Sequence, residues 1–401
     1  MRNLTAEEQQ VVDNGLNPQE TQAIIVVSFI VALRLLGIFL VLPIFSVYAI
    51  KYPDATTPLV GIAFGIYALV QSLLQIPFGW ASDRIGRKPI LLIGLFLFAL
   101  GSLICGMAEN IYQLIFARVI QGCGAVSAVA MAALGDLSRP QVRAQAFTLT
   151  GISIGAAFLI GILGGPFLAG KFGFHSLFYI LAGLSFFSFI ITALFFPQTN
   201  EKKLKEATPK LGDITSGNEI RKIYIAAFIL SFMLNFFLFI YPLSWTELGL
   251  TRAELWKVYL VTSLPSILLA FPYIRYAEKK RKLQPTTIGG WAFISIGLLL
   301  YLFGAHNEWL LYTIGGIFFL GHTLFQSLLP AFLTQRVSWE SRGSATGIYN
   351  LLGFLGASFG GMFAGFLYHL NQRTPLILGL VILAVWAYMG LPKPPDTDSL
   401  E

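Results

Sequence analysis

"GWASDRIGRKPI", residues 79–90, sets an Asp, two Arg and a Lys between two long apolar runs. Crossing the roughly 30 Å hydrocarbon layer of a membrane takes roughly 20 helical residues, each rising about 1.5 Å. The runs on either side, 58–81 and 90–108, meet that length. The stretch therefore reads as a charged turn at a membrane surface, between a second and a third spanning helix.

Working outward, apolar runs of the same length recur at 22–50, 58–81, 90–108, 111–135, 143–170 and 174–197, and again at 220–247, 254–275, 284–304, 308–336, 342–369 and 374–391. Helices are the expected form, because spanning strands are shorter and alternate with polar residues. Composition agrees. Of 401 residues 56% are hydrophobic and 12% charged, half the roughly 25% of soluble domains. The 39 glycines suit membrane helices. Both cysteines, Cys105 and Cys123, lie in apolar stretches, so neither a disulfide nor a metal site is expected. The net charge of +7 belongs to surface loops and gives no reason to expect nucleic acid as a partner. Residues 1–22 are polar, so no cleavable signal peptide is expected.

The one extended polar segment inside the chain, 198–222, separates six helices from six. The expected organisation is an amino-terminal segment (1–21), a first bundle (22–197), a linker (198–219), a second bundle (220–391) and a tail (392–401). A duplication is visible in one place. "GILGGPFLAG" (161–170) aligns with "GASFGGMFAG" (356–365), sharing Gly at the first, fifth and last positions and Ala at the ninth. The predicted fold is an all-α membrane protein, twelve helices in two pseudo-symmetric six-helix bundles. Lys and Arg set its orientation. With both termini inside, twenty of the 27 fall in inside segments, five (Lys51, Lys171, Arg252, Lys257 and Arg373) outside, and Arg34 and Arg118 within helices. Both termini, and the 79–90 turn, are thus expected in the cytoplasm.

Polar residues at membrane depth are the candidate path. Tyr67, Gln71 and Gln75 are spaced by four and share one face of helix two; either a cavity wall or a hydrogen-bonded helix contact would use them so. On helix ten His322 and Gln326 are also four apart. His322 is a candidate proton carrier or a neutral, hydrogen-bonded side chain. Asn235, Tyr241, Tyr349 and Asn350 are weaker candidates. Arg34 and Arg118 are costly at this depth, so each either serves the cavity or is paired to backbone carbonyls. No Asp or Glu lies near the middle of any span, although a carboxylate is a common proton relay inside transporters. No "GxxxxGK[ST]" loop is present, so ATP does not drive the protein directly, and no cofactor is expected.

In four places the chain resembles the major facilitator superfamily, and within it the twelve-helix drug:proton antiporters. Gly79-x-x-x-Asp83-Arg84-x-Gly86-Arg87-Lys88 is similar to that family's signature loop. "RVIQGCGA", with Arg118, Gln121, Gly122 and Gly124, resembles its helix-four motif. "GILGGPFLAG", with Gly161, Gly165, Pro166 and Gly170, resembles its antiporter motif, with Ala169 in place of the usual Gly. "LGIFLVLP" on helix one is similar to a fourth. The resemblance covers residues 22–391. It implies a transporter, not an enzyme, that exchanges a small, amphiphilic drug or metabolite for protons. It further implies a monomer in a bacterial inner membrane. By the same resemblance Asp83 faces the start of helix eleven, near Arg342, Gly343 and Ser344, where free N–H groups carry partial positive charge. Arg87 is implied to reach Asp136. This would be a latch joining the halves; the plainer reading is that these charges mark the inside boundary. Close packing of helix five against the other half would exclude leakage. Arg34 departs from the family pattern, in which an acid often stands on helix one. A proton-independent facilitator or lipid flippase on the same fold remains open, as does a sensor that binds without transporting.

Overall fold

The protein is described here from a computed structural model covering residues 16–197, 215, 217–280, 282–304, 307–338 and 341–394. Among the described residues the regular elements are helical and none is a strand. The first half holds α1 (Pro18–Val41), α2 (Thr57–Ile85), α3 (Arg87–Met107), α4 in two pieces (Ile111–Gly122 and Ser127–Leu137), α5 (Pro140–Phe172) and α6 (Phe174–Phe195). The second holds α7 (Asn218–Glu247), α8 (Leu255–Lys279), α9 (Leu283–Gly304), α10 (Glu308–Thr334), α11 (Arg342–Leu370) and α12 (Thr374–Met389). Eleven spans are long and apolar enough to cross a membrane, and α12 is a shorter apolar helix of 16 residues. Most of the linker and the chain's extreme ends lie outside the described residues.

Local chemistry sets the boundaries. α1 begins at Pro18, earlier than the apolar run, because Asn17 and Glu20 form a reciprocal cap: the Asn17 side chain accepts from the Glu20 N–H at 2.7 Å, and the Glu20 carboxylate from the Asn17 N–H at 3.0 Å. The helix loosens at the 3-10 turn Leu42–Ile44, where Pro43 has no N–H to give, and resumes over Phe45–Ala49. The break in α4 falls at residues 123–126, where Gly124 lies against Phe98 and the Gly94 carbonyl.

The 79–90 stretch is tighter than the apolar runs suggest. α2 continues to Ile85 and α3 starts at Arg87, so Gly86 alone turns the chain, at φ 104°. That backbone conformation suits glycine and strains other residues. Asp83 and Arg84 thus belong to the last turn of α2, and Arg87 and Lys88 to the first turn of α3. Polar side chains let both helices run past the apolar boundary.

The repeat seen in the sequence has a structural counterpart. Gly161 and Gly165 of α5 pack on the α1 backbone at Phe39 and Leu40, and Gly356 and Gly360 of α11 pack on the α7 backbone at Phe228 and Phe232. A side chain at any of these positions would collide with main chain. The last glycine of each stretch reaches across: Gly170 meets Ala253, in the 3-10 turn just before α8, and Gly365 meets Gly61 of α2. Small residues at such spacing let membrane helices approach closely, where van der Waals contact supplies the stabilisation. The sequence reading, in which the helix-five glycines face the other half, is therefore corrected for Gly161 and Gly165, which stay within their own bundle. Only Gly170 crosses. Spacing defines a small-residue face but does not say which helix fills it.

Twelve passes place the Gly86 elbow and the two described ends of the chain at one end of the molecule, the elbow end. The α1–α2, α5–α6 and α7–α8 connections lie at the far end. Large apolar side chains such as Phe116, Phe187, Phe303 and Val381 are exposed along the outside, as expected of surfaces facing lipid.

Candidate transport path and elbow

At the elbow, Arg87 is buried and its guanidinium collects three partners. Its Nε donates to the Asp136 carboxylate of α4 at 2.8 Å and its Nη1 to the Ser82 hydroxyl at 2.6 Å, and it also pairs with Asp83. The ends of α2, α3 and α4 are thereby held together. Arg84 lies over the Trp80 ring at 3.7 Å, and Lys88 is half-buried. The Asp83 side chain is 50% exposed, and a Cβ on Gly79, one turn before it, would meet nothing within 4 Å. That face of α2 is unfilled here.

A second ionic link went unnoticed in the sequence. Glu20, only 2% exposed, accepts from the Arg139 backbone N–H at 3.0 Å and from its guanidinium at 2.8 and 3.0 Å. It joins the start of α1 to the α4–α5 connection.

Deeper in the first half, Arg118 is fully engaged by its surroundings. Its Nε donates to the Ala63 carbonyl at 3.2 Å, its Nη2 to that of Phe64 at 3.5 Å, and its Nη1 to Gln121. Gln121 in turn donates to the Ser102 hydroxyl at 2.8 Å. The guanidinium lies 4.6 Å from the Tyr67 ring centre and 5.4 Å from that of Phe45. Carbonyl and ring contacts of this kind offset the cost of burial. Arg34, on α1, donates to the Tyr67 hydroxyl at 3.2 Å and to Ser127, while its Nε has no partner. Tyr67, Gln71 and Gln75 are all buried on α2. Both polar atoms of Gln71 and the Nε2 of Gln75 lack a hydrogen-bond partner.

In the second half, His322 lies stacked near Phe318, ring centres 6.3 Å apart, and its Nε2 is unpartnered. Gln326 donates to the Tyr349 hydroxyl at 3.0 Å, leaving its own oxygen free. Asn235 closes on the carbonyl of Ser231 at 2.9 Å, one turn back, and Tyr241 donates to the Leu311 carbonyl at 2.9 Å. No cluster of His, Cys, Asp and Glu suited to a metal occurs among the described residues.

The halves meet closely at the far end. Ser46 donates to the Phe239 carbonyl at 2.7 Å and Tyr259 to that of Pro43 at 2.8 Å. Phe64 packs edge-on to Phe239, with ring centres 5.7 Å apart, and covers Gly361. Gly65 lies against the Ser358 backbone. Phe167 meets Trp256, and Arg252 lies over Tyr48 at 5.6 Å. Sequence reasoning missed these ties because their acceptors are mostly main-chain carbonyls, which leave no mark in a sequence. Ser127 and Ser102 were missed for a related reason: a lone serine in an apolar run carries no pattern. Ser82 stood inside the quoted stretch and could have been found there.

Comparison with known proteins agrees with this architecture. The model of the Major Facilitator Superfamily matches residues 27–222 and 223–401. The chain is 32% identical to the inner membrane transport protein YajR of Escherichia coli, over 97% of this chain and 87% of that one. It is 26% identical to multidrug resistance protein 2 of Bacillus subtilis, over 93% and 96% respectively. Among solved structures, a bacterial homologue of the human lysosomal transporter Spinster, described as inward-facing and occupied, superposes with a TM-score of 0.75 at 15% identity, covering 94% of this chain and 97% of that one. With both halves matched and twelve apolar helices in two glycine-laced bundles, the chain belongs to the Major Facilitator Superfamily and is a multi-pass membrane transporter, not an enzyme.

Proposed function

We propose that this transporter exports a small amphiphilic molecule by alternating access, with protons moving the other way and a single chain as the working unit. The observation that carries this reading is the asymmetry between the two ends. Main-chain contacts close the far end, while Gly79 and Asp83 at the elbow end face open space. The lysine and arginine bias supports a cytoplasmic elbow end. Relatives named for multidrug and quinolone resistance favour efflux.

The rocking contact is α2 against α11. Gly61 lies opposite Gly365 in an antiparallel pair. Residue 83 is 22 positions beyond 61, and 22 positions back from 365 is residue 343, in the first turn of α11. When the far end opens and the elbow end closes, Asp83 comes to the positive start of that helix. Such a contact contributes about 1–2 kcal/mol if partly buried, enough to bias two states of similar energy. Arg87, held by Asp136, keeps the shape of the elbow while the carboxylate changes partner.

Proteoliposomes with an imposed pH gradient test the coupling. Substrate movement that ignores the gradient favours the facilitator reading, which the lack of a mid-membrane acid also suits. For the latch, Asp83→Asn should shift the balance towards the far-end-closed state, read from spin-label distances across each end. An unchanged balance rejects it.

A further inference from the structure

We propose that the molecule carried is an organic anion, an apolar body bearing a carboxylate or sulfonate, and that Arg34 is its charged anchor. The proposal rests on the transport reading and specifies its substrate class. Arg34 is 3% exposed and, among the described residues, meets no carboxylate; its partners Tyr67 and Ser127 are neutral. The same holds for Arg118, whose bonds go to carbonyl oxygens and Gln121. Along the full sequence no Asp or Glu falls between residues 21 and 53, or between 55 and 82. Beyond Glu20 at the start of α1 and before Asp83 at the end of α2, these two helices thus bury positive charge without supplying a negative one.

A buried charge without a counter-ion is costly, and an unpartnered donor adds to that cost. Arg118 is satisfied by the fold itself. Arg34 is not: its Nε points to no acceptor. Tyr67, which binds Arg34, stands one turn from Gln71 and two turns from Gln75 on the same face of α2. The Nε2 groups of both glutamines are buried, and neither has a partner. A guanidinium whose Tyr67 partner shares a helix face with two spare amide donors, one and two turns along, offers an oxyanion its binding groups, since charge-assisted bonds from Arg to planar oxygens are strong and directional. A lipophilic cation would meet Arg34 with like charge and find no carboxylate to pair with.

The test compares two ligands of one size and opposite charge, 2-naphthoate and N-methylquinolinium, on the full chain in lipid nanodiscs by titration calorimetry. Naphthoate should bind at least tenfold more tightly. Arg34→Gln should remove that preference, and Arg34→Lys, which keeps the charge, should retain most of it. Equal or tighter binding of the cation overturns the proposal. So does failure of both ligands to bind below roughly 1 mM, the weak end of specific affinity. If Arg34→Gln does not fold, the wild-type comparison still decides. Flux into proteoliposomes separates this from the transport reading: anion binding without movement keeps the ligand class and removes transport, while movement of the cation alone does the reverse.

Discussion

Counting from the capping asparagines Asn110 and Asn307, Arg118 and Gly315 stand at the same place in α4 and α10, eight residues along. In the first half that place holds a guanidinium bonded to carbonyls of α2. In the second it is vacant of side chain, and the Tyr241 hydroxyl fills the space. Around it Phe237 stacks on Phe318, ring centres 3.9 Å apart, and on Tyr241 at 4.6 Å, with Phe319, Tyr301 and Tyr259 set edge-on about them. The same glycine ladder supports both halves, yet one encloses charge and the other aromatic surface. A duplicated scaffold fixes helix spacing through small residues, and leaves the enclosed side chains free to diverge. For an amphiphilic substrate the difference is useful, since one wall can hold a charged group and the other an apolar body.

The shared ladder should be the most sensitive feature. Gly165→Val places branched carbon into the Leu40 main chain, and Gly360→Val does the same at Phe232. Each should cost about 3 kcal/mol or more, read as loss of a monodisperse, thermally stable protein in detergent. Gly155→Val, on the same helix as Gly165 but with open space around it, should fold normally. Tolerance of one ladder substitution and not the other would break the equivalence of the halves.

The aromatic half comes next. Phe237→Ala opens a cavity beneath a stacked ring. In water such a change costs about 3–5 kcal/mol. In a membrane the transfer part largely disappears, because lipid is as apolar as the core, and packing loss remains. A fall of roughly 2 kcal/mol is expected, below that range because only the packing part remains, measured by thermal unfolding in nanodiscs. A loss as large as in a soluble core would mean that water enters this half of the path.

How much of this was legible from residue order differs by kind of contact. The twelve spans and the glycine repeat were, since length, apolarity and spacing are properties of the chain itself. The elbow was visible as a charged turn but not as a single glycine, because charged side chains at a helix end look the same as loop charges. Arg34 and Arg118 stood out by their cost. Their partners did not: Arg118 bonds to carbonyls that every residue possesses, and only folding decides which are near. The far-end closure through Tyr259 and Pro43 is hidden for the same reason.

That closure gives a smaller, sharper test of how the halves move. Tyr259→Phe keeps the ring and removes only the bond to the Pro43 carbonyl. A buried hydrogen bond contributes about 1 kcal/mol, close to a fivefold change in a two-state balance. The ratio of far-end-closed to far-end-open molecules should fall by that factor, read from spin labels on α1 and α8, with thermal stability nearly unchanged. A drop in stability without a change in population would make Tyr259 part of the aromatic core and not of the gate.

The smallest effect is expected at Arg87. Arg87→Lys keeps the charge and removes the fork that joins Asp136, Ser82 and Asp83. Two of those partners are well exposed, with side chains 50% open for Asp83 and 37% for Asp136, so water screens them and about 0.5–1 kcal/mol is the expected loss. The loss should shrink with added salt, in step with a Debye length near 10 Å at about 0.1 M. Thermal unfolding at two ionic strengths checks both statements. A salt-independent loss of several kcal/mol would show that the elbow is a fixed structural joint. A switch requires the opposite: Asp83 must hold Arg87 weakly enough to leave it for α11, and the half-open carboxylate is in the position to do so.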